Sequence, residues 1–70
     1  MTMVWFGQAG MAVLERAIKH KEYGLQEFAA ASGVNHMRLK RVILGGRSIS
    51  KEEMAMISRE IGWPVKYLMM

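Results

Sequence analysis

From about Ala9 to Lys21 the chain places Met11, Leu14 and Ile18 at three- and four-residue steps and keeps Glu15, Arg16, Lys19 and Lys21 off that stripe. This is the period of an amphipathic helix. Trp5 and Phe6 precede it, either as an additional helical turn or as an arm folded over the core. A second, shorter helix is predicted from about Leu25 to Ala31. It must close near Gly33, because glycine readily takes the left-handed conformation that ends a helix. Asn35 restarts the chain as an N-cap, its side-chain oxygen able to accept a hydrogen bond from an N–H of the next first turn. The third helix then runs from His36 to Leu44 and stops at Gly45 and Gly46.

The segment "SKEE" gives the clearest helix start: Ser50 caps, and Glu53 can reach back to the Ser50 backbone N–H as a capping box. A fourth helix follows with Met54, Ile57 and Ile61 on one face and Gly62 at its end. Pro64 suits the first position of a fifth helix carrying Val65, Tyr67 and Leu68. No strand pattern, repeat or linker is legible, so the expectation is one all-α domain over residues 1–70, a compact bundle of about five short helices.

Composition narrows the chemistry. The 70 residues contain no cysteine and two histidines, His20 and His36, which excludes disulfides and leaves too few ligands for a structural zinc site. There is no aspartate and no spaced Ser/His/acid set, so an enzyme is not expected. Glu52 and Glu53 are explained by helix capping and the helix dipole, and Glu15 and Glu60 by solvent-facing positions. No cofactor, metal or small-molecule ligand is expected. The run "MVWFGQAGMAVL" lacks a cationic start and a cleavage site, and no run is long enough to span a bilayer. A cytoplasmic protein is expected.

Charge changes the picture once it is located. Between Phe28 and Lys51 there is no acidic residue, while Arg38, Lys40, Arg41, Arg47 and Lys51 contribute +5 of a net charge of +4, leaving the other 46 residues at −1. Regional asymmetry of this kind suits an anionic partner, or a solvated basic face. At 100° per residue, with Leu39, Val42 and Ile43 facing inward, the third helix turns Met37, Lys40, Arg41 and Leu44 outward and Arg38 to a flank. A helix this short must be docked to be stable, and Ala29 in the second helix is small enough to let it approach. A short helix, a glycine turn and a second helix with a basic outer face form a helix-turn-helix unit over residues 25–46, whose second helix suits the DNA major groove.

The run "LQEFAAASGVNHMRLKRVILGG" resembles the helix-turn-helix of the lambda-repressor-like (Cro/cI, XRE-type) DNA-binding domains. The resemblance rests on Ala29, on Gly33 at the turn with Val34 after it, and on Leu39 and Val42 as the buried pair of the recognition helix. It is firm over about these 22 residues and looser outward, through "EYGLQEFA" and "ISREIGWPVKYL". It implies a five-helix bundle and a sequence-specific transcriptional regulator, a Cro-like or phage- or plasmid-type repressor acting on double-stranded operator DNA. Carried over by position, Asn35, His36, Met37 and Arg41 fall where the family contacts bases or adjacent phosphates. Arg38 and Lys40 fall beside the DNA backbone, and Arg47 and Lys51 lie where a loop and a helix start usually touch phosphate. Leu25 departs from the family's frequent glutamine and Gly24 from its usual Ser or Thr cap, which leaves Gln26 as the candidate for phosphate binding there.

Met37 offers no strong donor and is expected to touch a thymine methyl or shape the fit. Two copies are expected, because one recognition helix reads few base pairs. Trp63, Tyr67, Leu68 and Met69 in "GWPVKYLMM" are the candidate surface for a weak homodimer, with Trp5 and Phe6 able to join it. The alternative at that end is that Trp63 and Leu68 close the bundle and Met69 and Met70 fray. The alternative function is a protein-interaction module, an antitoxin or antirepressor built on the same helices, since methionine suits adaptable apolar surfaces.

Overall fold

The computed structural model of the chain describes residues 2–20 and 24–70. In chain order they form a strand β1 (Met3–Trp5), helices α1 (Gln8–His20), α2 (Leu25–Ser32) and α3 (His36–Arg41), a wide turn over Val42–Gly46, a strand β2 (Ser48–Ser50), and helices α4 (Lys51–Ile61) and α5 (Val65–Leu68). The predicted extension of the first helix to Lys21 lies outside the described residues. The expectation of a purely helical chain is corrected to a mostly helical fold with a two-stranded antiparallel sheet, Met3 opposite Ser50, Val4 opposite Ile49 and Trp5 opposite Ser48. The ladder continues past both ends, with Lys51 N–H donating to Thr2 O at 2.9 Å and Phe6 N–H to Arg47 O at 2.9 Å. Three-residue strands are too short to display a two-residue period.

The helix ends follow local chemistry. Gly33 and Gly62 take left-handed conformations at φ 85° and close α2 and α4. Asn35 Oδ1 accepts from Met37 N–H at 2.8 Å and from Arg38 N–H at 3.2 Å, fixing the start of α3. The capping box at Ser50 and Glu53 is complete. Pro64 sits at the cap of α5, one position before the expected one. Regular α geometry in the third helix ends at Arg41 rather than Leu44, and the wide turn that continues it breaks at Gly45, whose φ of 117° few side chains tolerate.

The inward stripes of the helices meet in one core containing Phe6, Leu14, Phe28, Leu39, Val42, Ile49, Met54, Ile57 and Leu68. Val4 and Ile43 pack partly buried against it. Phe6 is therefore the folded-over arm, and not part of any outer surface. Leu68 is fully buried at 0 % exposure, which corrects its assignment to a dimer surface: it closes the bundle from α5. Nor does the end of α5 fray onto solvent, because Met70 O accepts from Ala9 N–H at 3.0 Å and Gly10 N–H at 3.3 Å, while Gly7 N–H donates to Leu68 O at 3.0 Å. The first-turn donors of α1 at Ala9 and Gly10 are thus met by the Met70 carbonyl just past α5.

Candidate nucleic-acid interface

Leu39 and Val42 are buried under α3, so the opposite side of the helix faces solvent. Met37 is 66 % exposed and Leu44 77 % exposed; Lys40 and Arg41 are exposed between them. The outward direction of these four side chains agrees with the helical wheel. What the wheel could not give is the surface beside them. A trough of about 710 Å³ runs along this face, lined by Met37, Lys40, Arg41 and Leu44 from α3 and its turn, and by Met3 and Ser48 from the sheet. The helix positions the cations, and the sheet walls them with a largely apolar surface.

Arg38, expected on the flank of the helix, reaches across to α4. Its Nη1 donates to Glu53 Oε1 at 2.6 Å, the one salt bridge among the described residues. Glu53 also accepts from Ser50 Oγ at 2.8 Å and from Ser50 N–H at 3.4 Å. One carboxylate thus joins the flank of α3 to the first turn of α4. Arg38 positions α3, and because Glu53 cancels its charge it is a poor candidate for neutralising a phosphate. Burial works to raise the Glu53 pKa, but the hydrogen bonds from Ser50 and Arg38 and the nearby Arg38 charge together outweigh it and hold the carboxyl below its ordinary value.

A pH signature follows from the sign of that shift. A carboxyl depressed in the folded state adds stability that is complete above its unfolded pKa and is lost as pH falls through the folded one. Glu53→Gln, which can keep the cap hydrogen bond, should cost about 0.5–1 kcal/mol at pH 7, a modest figure because the Arg38 side chain is 45 % exposed. The gap between wild type and variant should be smaller at about pH 3 than at pH 7, because falling pH carries the Glu53 carboxyl toward protonation. Urea unfolding at both pH values measures it, and an equal gap at each would show that the ionised pair contributes nothing.

The remaining candidates divide by what already engages them. Asn35 spends its oxygen on the α3 cap, leaving its amide nitrogen for a base edge. His36 is half-buried at the start of α3, and Gln26 is exposed in the first turn of α2. Arg47 is exposed and holds a left-handed conformation at φ 58°, the one such non-glycine among the described residues. That geometry is costly for arginine, and it is held by the bond from Phe6 N–H to Arg47 O. Lys51 is exposed, but backbone N–H groups beside it that a phosphate could use are engaged within the fold. Lys51 N–H is bonded to Thr2 O, and Glu53 N–H to Ser50 Oγ at 3.2 Å. With Glu52 and Glu53 in the same turn, Lys51 can offer an anion its ammonium group and little more.

Away from α3, Trp63 and Tyr67 meet edge to face with ring centroids 6.2 Å apart, and the Lys66 ammonium lies 5.4 Å from the Tyr67 centroid. The Ser58 hydroxyl donates to Trp63 O, which ties this corner to α4. Trp63, Tyr67, Met69 and Met70 remain exposed. Sequence reasoning missed Met3 as a wall of the trough and gave Leu44 no role despite turning it outward. No group of three or more His, Cys, Asp or Glu side chains among the described residues could hold a metal. Among those residues no helix is long and apolar enough to cross a membrane. None of the family models, curated proteins or solved structures compared with the chain matches it.

Proposed function

We propose that this protein is a sequence-specific DNA-binding regulator of transcription, a cytoplasmic repressor of the lambda-repressor-like helix-turn-helix kind, with α3 as its recognition helix. The observation that carries the reading is the outer face of α3, where Lys40 and Arg41 stand exposed on a helix whose opposite side is anchored by Leu39 and Val42. In this arrangement Arg41 and Met37 meet base edges, with the Asn35 amide and His36 beside them at the helix start. Lys40, Arg47, Lys51 and Gln26 lie along the phosphates, and Arg38 orients the helix through Glu53. Phosphate contacts position the protein, and base contacts specify the site.

Half-sites of such proteins lie about 34 Å apart, whereas the chain measures 28 × 21 × 21 Å along its principal axes. One copy therefore cannot place α3 in both. A weak two-fold homodimer supplies the second copy, with Trp63, Tyr67 and Met69 as its surface.

A salt titration on random duplex DNA tests the reading, since affinity that rests on phosphate contacts falls linearly with salt on a log–log scale. Arg47→Gly should flatten the slope by about 1 and, by relieving the left-handed arginine, leave the fold as stable or up to about 1 kcal/mol more stable. Sedimentation with and without a duplex carrying two half-sites tests the dimer. Absence of duplex binding at low salt would remove the DNA reading. It would favour a protein-interaction module, for which the apolar wall of the trough is the specific observation.

A further inference from the structure

We infer that the trough beside α3 recognises the 5-methyl groups of pyrimidines, with Met37 and Leu44 holding methyls on either side of a guanine gripped by Arg41. The inference rests on the DNA reading and names the chemistry of the site that it reads. Residues 37, 41 and 44 follow one another at four- and three-residue steps, so they form a single stripe along the helix and its turn. All three line the same trough. The order along that stripe is thioether, guanidinium, isobutyl.

The two apolar members are not explained by the core. At 66 % and 77 % exposure, Met37 and Leu44 leave most of their surface to water, in contrast to the buried Leu39 and Val42 of the same segment. Met3, projecting from β1 into the same trough, enlarges the apolar surface. Phosphates offer nothing for such a surface to bury. In the major groove the base-edge group that does is the methyl on C5 of thymine, which is also the group that distinguishes thymine from cytosine by shape.

At a rise of about 1.5 Å per residue, Met37 lies about 6 Å along the axis from Arg41, close to two base-pair steps, and Leu44 lies on the other side of Arg41 in the wide turn. The selected site should therefore carry thymine within two positions of the guanine on both flanks. Because the contact is to the methyl, 5-methylcytosine presents the same group at the same place.

The test starts from duplexes selected by the full chain out of random DNA, resynthesised with deoxyuridine at each flanking thymine. Each methyl removed should weaken wild-type binding about fourfold, the factor equivalent to burying one methyl-sized group at ~0.8 kcal/mol. Leu44→Ala should lose the response at one flank and Met37→Ala at the other, each keeping the wild-type melting temperature because both side chains are largely exposed. Cytosine at those positions should bind poorly, and 5-methylcytosine should recover about fourfold. Wild-type affinity within twofold on the thymine and deoxyuridine duplexes would overturn the inference while leaving the DNA reading intact. Selection that enriches no duplex would overturn both.

Discussion

Gly10→Ala is expected to unfold this domain at ordinary temperatures, although helix propensity alone predicts a gain of about 1 kcal/mol from replacing an interior glycine. A Cβ at Gly10 would lie 1.7 Å from Leu68 O, 2.5 Å from Leu68 C and 2.8 Å from Leu68 Cα. Every one of these atoms is backbone, so no side chain can swing away. α5 must retreat from α1, which breaks the bonds of Gly7 N–H to Leu68 O and of Ala9 and Gly10 N–H to Met70 O. It also draws the fully buried Leu68 out of the core. Overpacking costs ~1–3 kcal/mol and a withdrawn leucine a similar amount, together roughly 3–5 kcal/mol. A domain of this length has total stability on the order of 5 kcal/mol. Thermal melting followed by circular dichroism measures the effect. A variant as stable as wild type would show that α5 does not seat on α1.

Arg41→Ala should have the largest effect on recognition, about 1–3 kcal/mol at the preferred site and five- to 150-fold in affinity. Arg41 is exposed at the middle of the outer face and takes part in no salt bridge among the described residues. Its guanidinium can grip guanine O6 and N7 together, which lysine cannot do in the same bidentate way. The loss should therefore be confined to one base pair, with preference relaxed there and random-DNA binding reduced only by the salt-sensitive part. Competition between the selected duplex and single-base variants of it reads this directly. Uniform weakening across all sequences would make Arg41 a phosphate contact instead.

The parts of the fold that were legible in the sequence are those that depend on neighbours within a turn or two. The Ser50 and Glu53 box, the Asn35 cap and the left-handed glycines at 33 and 62 all act over three or four residues, and each is found in place. The inward stripes of α1 and α4 were equally visible, since Leu14, Met54 and Ile57 repeat at helical steps and are buried. The parts that were not legible join residues far apart in the chain. Arg38 and Glu53 are 15 residues apart, and nothing in either neighbourhood marks them as partners. The same applies to Gly7 and Gly10 against α5, whose small size has meaning only once the two backbones are brought together. Leu68 read equally well as surface or core because a helix of four residues has no repeat to orient it. For the candidate site, the sequence placed the cations and the outward Met37 and Leu44, but not the sheet that walls them or the carboxylate that occupies Arg38.

That sheet also orders events in time. Its register joins residues 3 and 50, so closing it confines α1, α2 and α3 in one long loop, at an entropic cost that rises with loop length. The contacts within α2, α3 and their turn are local and form early by comparison. The left-handed Arg47, held through Phe6 N–H, is accordingly among the last pieces of the cationic face to settle and among the first to loosen. The cooperative unit that opens at lowest free energy is then the sheet, and amide exchange at Val4 and Ile49 should run ahead of exchange at Leu39. On this account the lifetime of the assembled interface is set by the unzipping of two three-residue strands, while the helix that bears the cations stays folded beneath it.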